Sequence, residues 1–249
     1  MQGAADLSAP ILKHGRTWLK FGEPEPPCIK LSKEELSCVF FFQSYAMLAA
    51  QEPIHLVEQA DSGVVAAADA FGEGRRWGIG GWFLPAGTCL SPWNIHHFSI
   101  QLDVAALPTW FLNGKSEVQR SIAALEALAQ LVLLDGQRRR LGSDSNLGWL
   151  SLRQACDNAG VVCATQKGLS MAQPLASVLQ SMALYAGQRK INLRLSHVAG
   201  QRNGWADALS RGREKDRAFF AELDPQKQWQ PDWESLLRLC EQIVAKATN

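Results

Sequence analysis

The chain has 249 residues, 47% hydrophobic and 20% charged, so it can bury a core and is neither disordered nor fibrous. Its 25 Lys and Arg against 24 Asp and Glu give a net charge of +1, which excludes a globally basic, histone-like binder. The longest apolar run, residues 38–50, is too short to span a membrane, and the first residues lack a secretion signal. With six scattered cysteines, which are typical of free thiols, these features predict an intracellular protein, either cytoplasmic or nuclear.

The first predicted region is an extension over residues 1–60. A proline-rich break at 22–27 precedes a capped helix start at 31–36, which runs into the apolar segment 38–50. Two interpretations stay open for this region: a helix packed on the main body, or the remnant of a preceding domain.

Three short strands joined by short turns are predicted next, at 63–69, 75–84 and 94–102. Short turns between consecutive strands imply an antiparallel meander. We expect the glycines of the second strand to mark places where another segment passes close to it.

Helices and strands alternate over the remainder of the chain. Helices are predicted at 115–134, 145–159, 170–187, 204–211 and 232–247, and strands at 138–144 and 191–197. The first of these helices is predicted to end at Asp135 and Gly136. The order β-β-β-α-β-α-α-β-α implies an α/β fold, a mixed sheet flanked by helices.

Four carboxylates lie either at the end of a predicted strand or in a predicted helix among apolar residues. They are Asp69 and Asp144 at the ends of strands, Glu126 in an apolar helix, and Asp207 on a short helix between apolar residues. Each has an ordinary alternative: Asp69 and Asp144 as turn or helix caps, Glu126 at a helix edge, and Asp207 as a plain helix residue. Taken together, they predict a cluster at the carboxyl ends of the strands.

Such a cluster carries specific chemistry, because several carboxylates without matching Lys or Arg ionise together only when a cation neutralises them. All-oxygen ligation favours Mg²⁺ or Mn²⁺ over zinc. Two such ions at a separation of ~3.5–4 Å serve the attacking water and the leaving oxygen of a phosphodiester. The pattern therefore predicts metal-dependent phosphoryl transfer.

At this point the residues resemble a known family. Residues 196–211, SHVAGQRNGWADALSR, look like the HVPGxxNxxADxLSR ending of ribonuclease H domains from gypsy-class and DIRS-like retrotransposons. Residues 69–81 are similar to the family's DAS-x-G-x-G-G opening, 122–129 to its glutamate helix, and 141–146 to its "SDN" strand end. The resemblance covers residues 61–212, which leaves 213–249 as a tail with an amphipathic helix.

The resemblance implies a ribonuclease H-like fold, with a five-stranded mixed sheet in the order 3-2-1-4-5. It also implies that Asp69, Glu126, Asp144 and Asp207 are metal ligands of two Mg²⁺ or Mn²⁺ ions, and that all four belong to the catalytic set. His197, the remaining catalytic residue, would move a proton or help the product to leave.

Three residues are expected to contact nucleic acid. Arg75 follows the first turn, and Arg202 belongs to a basic stretch around the last strand and helix. Asn203 would either touch the nucleic-acid strand or cap the last helix of the domain.

The family's function, carried over, is an endonuclease that hydrolyses the RNA strand of RNA–DNA hybrids as part of a retroelement reverse transcriptase. The expected partners are the hybrid and an adjacent polymerase domain. Residues 1–60 would then be a remnant of that polymerase or of its connection region. The sequence departs from the family pattern at two places. Ala199 stands where the family commonly has a proline. The interval between Asp69 and Glu126 is longer than usual for the family, which predicts an insertion at 107–114. The alternatives are a catalytically decayed binding or spacer module, and another nuclease of the same superfold.

Overall fold

One five-stranded sheet organises the part of the chain that the computed structural model describes, which is residues 33–51, 65–112, 118–141, 150–168, 170 and 172–246. The strands are β1 (Val65–Glu73), β2 (Arg76–Leu84), β3 (His96–Asp103), β4 (Leu150–Cys156) and β5 (Ile191–His197). Their spatial order is β3-β2-β1-β4-β5, with β1 to β3 antiparallel and β4 and β5 parallel to β1. The predicted ribonuclease H-like fold, a mixed sheet of order 3-2-1-4-5 flanked by helices, is thereby confirmed.

Helices cover both faces of this sheet. They are α1 (Lys33–Gln51), α2 (Thr109–Leu112), α3 (Ile122–Arg140), α4 (Ala159–Lys167), α5 (Leu175–Gln188), α6 (Gly204–Arg211), α7 (Arg217–Ala221) and α8 (Trp233–Lys246). The face with α3 and α5 holds the larger core, and α6 covers β1 to β3 on the other face. Among the described helices, none combines the length and apolar character that crossing a bilayer requires.

Helix α3 lies between the sheet and an outer layer of helices. All its residues from 124 to 137 are buried, because the helix is apolar around most of its circumference and packs on β1 and β2 as well as on α5. The two glutamines and two acidic residues in this stretch are therefore buried too. Each of them needs a polar partner or a functional reason to be there.

Helix α6 packs directly on the backbone of β2. A Cβ atom added to Gly80 would lie 2.3 Å from the amide nitrogen of Ser210, so only glycine permits this approach. This confirms the expectation that the β2 glycines mark a close passage. Since Gly80 is the partner of Asp69 in the β1–β2 ladder, the same contact brings α6 to Asp69.

The region of the fourth strand contradicts the sequence prediction. Residues 138–140 form the last turn of α3 rather than a strand, and the strand is Leu150–Cys156, where a helix was predicted. Gly136 does not end α3, because it lies inside the helix where the ring of Trp229 packs: an added Cβ would lie 2.4 Å from Trp229 Cζ2. Asp144 lies outside the described residues.

The remaining elements agree with the prediction only in part: α3 and α5 begin later than predicted, at Ile122 and Leu175, and α4 lies where no separate helix was predicted. Strand β5 and helix α6 have the predicted bounds, whereas β1 continues past Asp69 to Glu73, so Asp69 lies within the strand instead of ending it. The first and last of the described helices pack on the body: α1 and α8 contact α5. Trp229, before α8, lies in the core against Phe83 and Phe98.

Candidate active site

Five carboxylates line one cleft of about 500 Å³. One of them, Glu73, is exposed at the end of β1, and the other four come from four separate parts of the fold. In the parallel register of β1 and β4, Ala67 is the partner of Ala155. Asp69 and Asp157 each come two residues later, so Asp69 on β1 and Asp157 directly after β4 lie at the same end of the two neighbouring strands. Glu126 reaches the cleft from the start of α3, and Asp207 reaches it from the first turn of α6. The structure thus unites three of the predicted ligands, and the fourth carboxylate is Asp157.

Asp69 lines this cleft and is buried, with 5% of the residue exposed. It accepts a hydrogen bond of 2.9 Å from Ser210 Oγ. Burial, followed by the negative charge of Asp157, raises its pKa from 3.8 to about 7 in spite of that hydrogen bond. Without a cation nearby, the Asp69 carboxyl group is therefore half protonated near neutral pH.

Glu126 has a similar environment on the α3 side of the cleft. Burial is the main cause that raises its pKa from 4.5 to about 8, a hydrogen bond from Asn158 opposes the rise, and the charges of Asp69 and Asp157 add to it. The thiol of Cys156 lies next to it, with Sγ 3.9 Å from Glu126 Oε2. Two neighbouring carboxyl groups thus resist ionisation for the same reasons.

Asp157 follows the last residue of β4 and is half-buried. The next residue, Asn158, caps α4, because its Oδ1 accepts hydrogen bonds from the amides of Gly160 (2.9 Å) and Val161 (3.2 Å). This cap fixes the turn between strand and helix, and it directs the Asp157 side chain into the cleft.

The donor set of the cleft fits a divalent cation. Ligand atoms of Glu126, Cys156 and Asp157 all lie within 4.8 Å of one another, which is a separation that one ion can bridge. Burial raises the pKa of the Cys156 thiol to about 12, so the carboxylate oxygens are the readily available ligands. Oxygen ligands select hard ions such as Mg²⁺ and Mn²⁺. A bound cation would also offset the burial and the repulsion that together raise the pKa values of Asp69 and Glu126.

Asp207 differs from the other three carboxylates because arginines neutralise it. Arg211 Nε lies 2.5 Å from Asp207 Oδ1, and Arg213 pairs with Oδ2. Burial opposes ionisation of Asp207, but the hydrogen bonds and charges of the two arginines outweigh it and hold its pKa below the usual value. A cation that binds Asp207 has to compete with a guanidinium group.

His197 lies beside Asp157, outside the set of residues that line the cleft. It ends β5 opposite Cys156, its side chain is exposed, and its Nε2 atom lies 3.2 Å from the carbonyl oxygen of Asp157. The imidazole is therefore held beside the carboxylates while solvent still reaches it.

The three residues expected to contact nucleic acid lie outside the carboxylate cleft. Arg75 is in the β1–β2 turn and forms an exposed ion pair with Asp103, with a distance of 3.1 Å between Nη2 and Oδ1. Arg202 and Asn203 line a second cleft of about 390 Å³ beside Trp205. Asn203 occupies the N-cap position of α6, and its carbonyl oxygen accepts the hydrogen bond from the Asp207 amide, but its buried side chain makes no capping hydrogen bond.

Asp157 is the site residue that the sequence analysis missed. The signal was the alternation of Leu150, Leu152, Gln154 and Cys156 on one face of a strand, followed by an Asn in a helix-capping position. The shorter "SDN" pattern that ends in Asn146 drew the prediction to Asp144. The role of Asp144 stays a prediction, since that residue is outside the described part of the chain.

No protein-family model and no curated protein matches the sequence. Among solved structures, the chain is similar to ribonuclease H1 from the archaeon Halobacterium salinarum, with 16% identity and a TM-score of 0.42 over 61% of this chain and 98% of that chain. It is also similar to LC11-RNase H1, which was isolated from compost by a metagenomic approach, with 15% identity and a TM-score of 0.43 over 63% and 99% of the two chains. A third is the N-terminal RNase H domain of Rv2228c from Mycobacterium tuberculosis, with 17% identity and a TM-score of 0.41 over 60% and 96%. At such scores these similarities carry no functional conclusion, and the strand order and connections establish the fold.

Proposed function

We propose that the chain is a divalent-metal-dependent endonuclease of the ribonuclease H type, which hydrolyses the RNA strand of RNA–DNA hybrids. The observation that carries this proposal is the convergence of Asp69, Glu126, Asp157 and Asp207, from four elements of a ribonuclease H-like fold, on one cleft. Burial of Asp69 and Glu126, together with the negative charges near them, lowers the stability of the metal-free chain at neutral pH, and a metal-binding function explains why the chain keeps these two carboxyl groups in such a place.

The metal site of this proposal consists of the four carboxylates, with Asp157 in the place that the sequence analysis assigned to Asp144. We propose Mg²⁺ or Mn²⁺ as the metal, with two ions in the working enzyme. When bound, such ions activate the attacking water and stabilise the leaving oxygen of a phosphodiester.

The residues of this chain around the carboxylates have separate roles in the proposal. Ser210 orients Asp69 through the 2.9 Å hydrogen bond from its hydroxyl. His197, held against the Asp157 carbonyl and exposed to solvent, moves a proton to or from a group that enters or leaves the cleft. Arg211 lines the cleft and can meet a phosphate once it leaves Asp207.

The proposed substrate is the hybrid, with Arg75, Arg202 and Asn203 as contacts to its strands. Exposure of Arg75 and Arg202 supports this assignment, since sequence-independent binding depends on cationic side chains that reach phosphates. The segment 196–211 supports a retroelement origin, in which this chain is intracellular and works beside a reverse transcriptase polymerase domain.

The experiment that tests the proposal compares Asp157→Asn with Asp144→Asn in the full chain. Cleavage of a hybrid labelled on its RNA strand is measured with Mg²⁺, with Mn²⁺ and with EDTA. Loss of a metal ligand predicts that Asp157→Asn lowers the rate by about 100- to 1,000-fold, as is typical when one electrostatic group of a catalytic site is removed. Asp144→Asn should keep the wild-type rate.

Three results would contradict parts of this assignment. Cleavage that persists in EDTA excludes a metal-dependent enzyme. Loss of activity in Asp144→Asn alone restores the original assignment of the third ligand. A wild-type chain that is folded and inactive on hybrid with either metal refutes the nuclease.

A non-catalytic, ribonuclease H-like module is the second candidate function. The observation that favours it is the pairing of both Asp207 oxygens with arginines, which leaves that carboxylate neutralised without a metal. Such a module predicts no rise in melting temperature when Mn²⁺ is added, whereas the nuclease predicts a clear rise.

A further inference from the structure

A single buried side chain, Gln130, connects the elements that carry three of the four carboxylates. It lies one helical turn after Glu126 on α3 and is fully buried. Its Nε2 atom donates hydrogen bonds of 3.1 Å to the carbonyl oxygen of Ala68 on β1 and 3.1 Å to that of Ala155 on β4. Both protons of one amide group are therefore used to join two neighbouring strands.

The two carbonyl groups belong to residues one and two positions before the catalytic carboxylates. Ala68 immediately precedes Asp69, and Ala155 stands two residues before Asp157. Within the described residues, β1 and β4 share one register pair, Ala67 with Ala155, whereas β4 and β5 share seven. The Gln130 amide thus links β1 and β4 at the point where their direct pairing is sparse and where the distance between Asp69 and Asp157 is set.

The two buried carbonyl groups explain why the apolar helix α3 carries the amide side chain of Gln130. Buried carbonyl groups require donors, and the Gln130 NH₂ group supplies two of them at once. A side chain without donors would leave both carbonyls unpaired, and a shorter amide would not reach both strands from α3. Glutamine meets both requirements.

We propose that Gln130 is a positioning residue, which holds β1, β4 and α3 at the separation that lets Asp69, Asp157 and Glu126 share a divalent cation. This inference rests on the proposed function, because it concerns the same site. Gln130 is fully buried, so it acts through the backbone and does not touch the substrate.

The test compares Gln130→Met with Gln137→Met in the full chain. Gln137 is the matched control: it is a fully buried glutamine seven residues later on α3, and it hydrogen-bonds with Gln154 instead of joining β1 to β4. Melting temperatures without metal record any change in stability separately. Titration calorimetry with Mn²⁺ alone records metal affinity, and hybrid cleavage records kcat and KM.

We expect Gln130→Met to weaken Mn²⁺ binding by about 10- to 100-fold, the usual effect of losing a residue that orients metal ligands. Gln137→Met should bind Mn²⁺ as the wild type does, whatever its melting temperature. For Gln130→Met, kcat should fall while KM for the hybrid stays unchanged.

Equal Mn²⁺ affinities of the wild type and Gln130→Met overturn the role of Gln130, and so does an equal loss in Gln137→Met. A wild type that binds Mn²⁺ but cleaves no hybrid overturns the proposed nuclease alone, because the calorimetric comparison still decides the role of Gln130. If Gln130→Met does not fold, the same measurements are made on Gln130→Asn and Gln137→Asn. Asparagine keeps an amide group, but its shorter side chain cannot bridge both strands from α3.

Discussion

Replacement of Asp69 by Asn should stabilise the metal-free chain at alkaline pH. Asp69 has its pKa raised from 3.8 to about 7 by burial and by the charge of Asp157. The folded chain therefore holds a proton on Asp69 that the unfolded chain has already released. By linkage, the contribution of this group to stability is present below pH 4 and is lost as pH rises through 7.

The magnitude follows from the pKa values. A rise from 3.8 to about 7 corresponds to a loss on the order of 4 kcal/mol once pH exceeds both values. Asn does not ionise, and its Oδ1 can still accept the hydrogen bond from Ser210. At roughly 2–4 °C per kcal/mol for a chain of this size, and with relaxation of the cleft reducing the full effect, we expect Asp69→Asn to melt at least about 5 °C above the wild type at pH 8.

The assay is thermal unfolding of both chains in EDTA at pH 5 and pH 8, repeated with Mn²⁺ at pH 8. The difference between the variants should be less than half as large at pH 5 as at pH 8. Mn²⁺ should raise the melting temperature of the wild type more than that of Asp69→Asn. A variant that melts at or below the wild type at pH 8 without metal, or a difference that does not grow with pH, would refute the reasoning.

Two further predictions concern the surroundings of the carboxylates. Arg213→Gln removes one guanidinium group from Asp207. Calorimetry should show that this variant binds Mn²⁺ about fivefold more tightly, which corresponds to the energy of a partly exposed ion pair. The control Arg217→Gln breaks an exposed ion pair with Glu214 and should leave the Mn²⁺ affinity unchanged. Gly80→Ala should destabilise the chain by about 3 kcal/mol or more in denaturant titration, because its Cβ would meet the Ser210 amide; a loss below about 1 kcal/mol would contradict the close packing.

The sequence predicted those parts of the fold that local chemistry determines. Strand β5 alternates apolar and polar residues, and α6 starts at a glycine after Asn203 and stops before Gly212, whose positive φ of 57° ends the helix. In both cases, neighbours within a few residues decide the boundary.

The fourth strand could not be predicted in the same way, because contacts remote in sequence decide where α3 ends. Asp135 and Gly136 together are typical of a helix end. In the structure, Asp135 accepts a hydrogen bond of 2.6 Å from Tyr185, and the missing side chain of Gly136 makes room for Trp229. Both partners lie more than 45 residues away in the chain, so the helix runs on, the strand begins later, and the carboxylate at its end is Asp157.

Binding of a divalent cation to this cleft should release protons near neutral pH. With pKa values of about 7 for Asp69 and about 8 for Glu126, both groups are at least half protonated at pH 7, whereas Asp207 is already ionised by its arginine partners. The cation therefore displaces protons on one side of the cleft and a guanidinium on the other. We expect release of about one proton or more per chain at pH 7 and close to none at pH 9. Calorimetry in buffers that differ in ionisation enthalpy measures this number, and a binding heat at pH 7 that is independent of the buffer would show that the carboxyl groups of Asp69 and Glu126 carry no proton for a cation to displace.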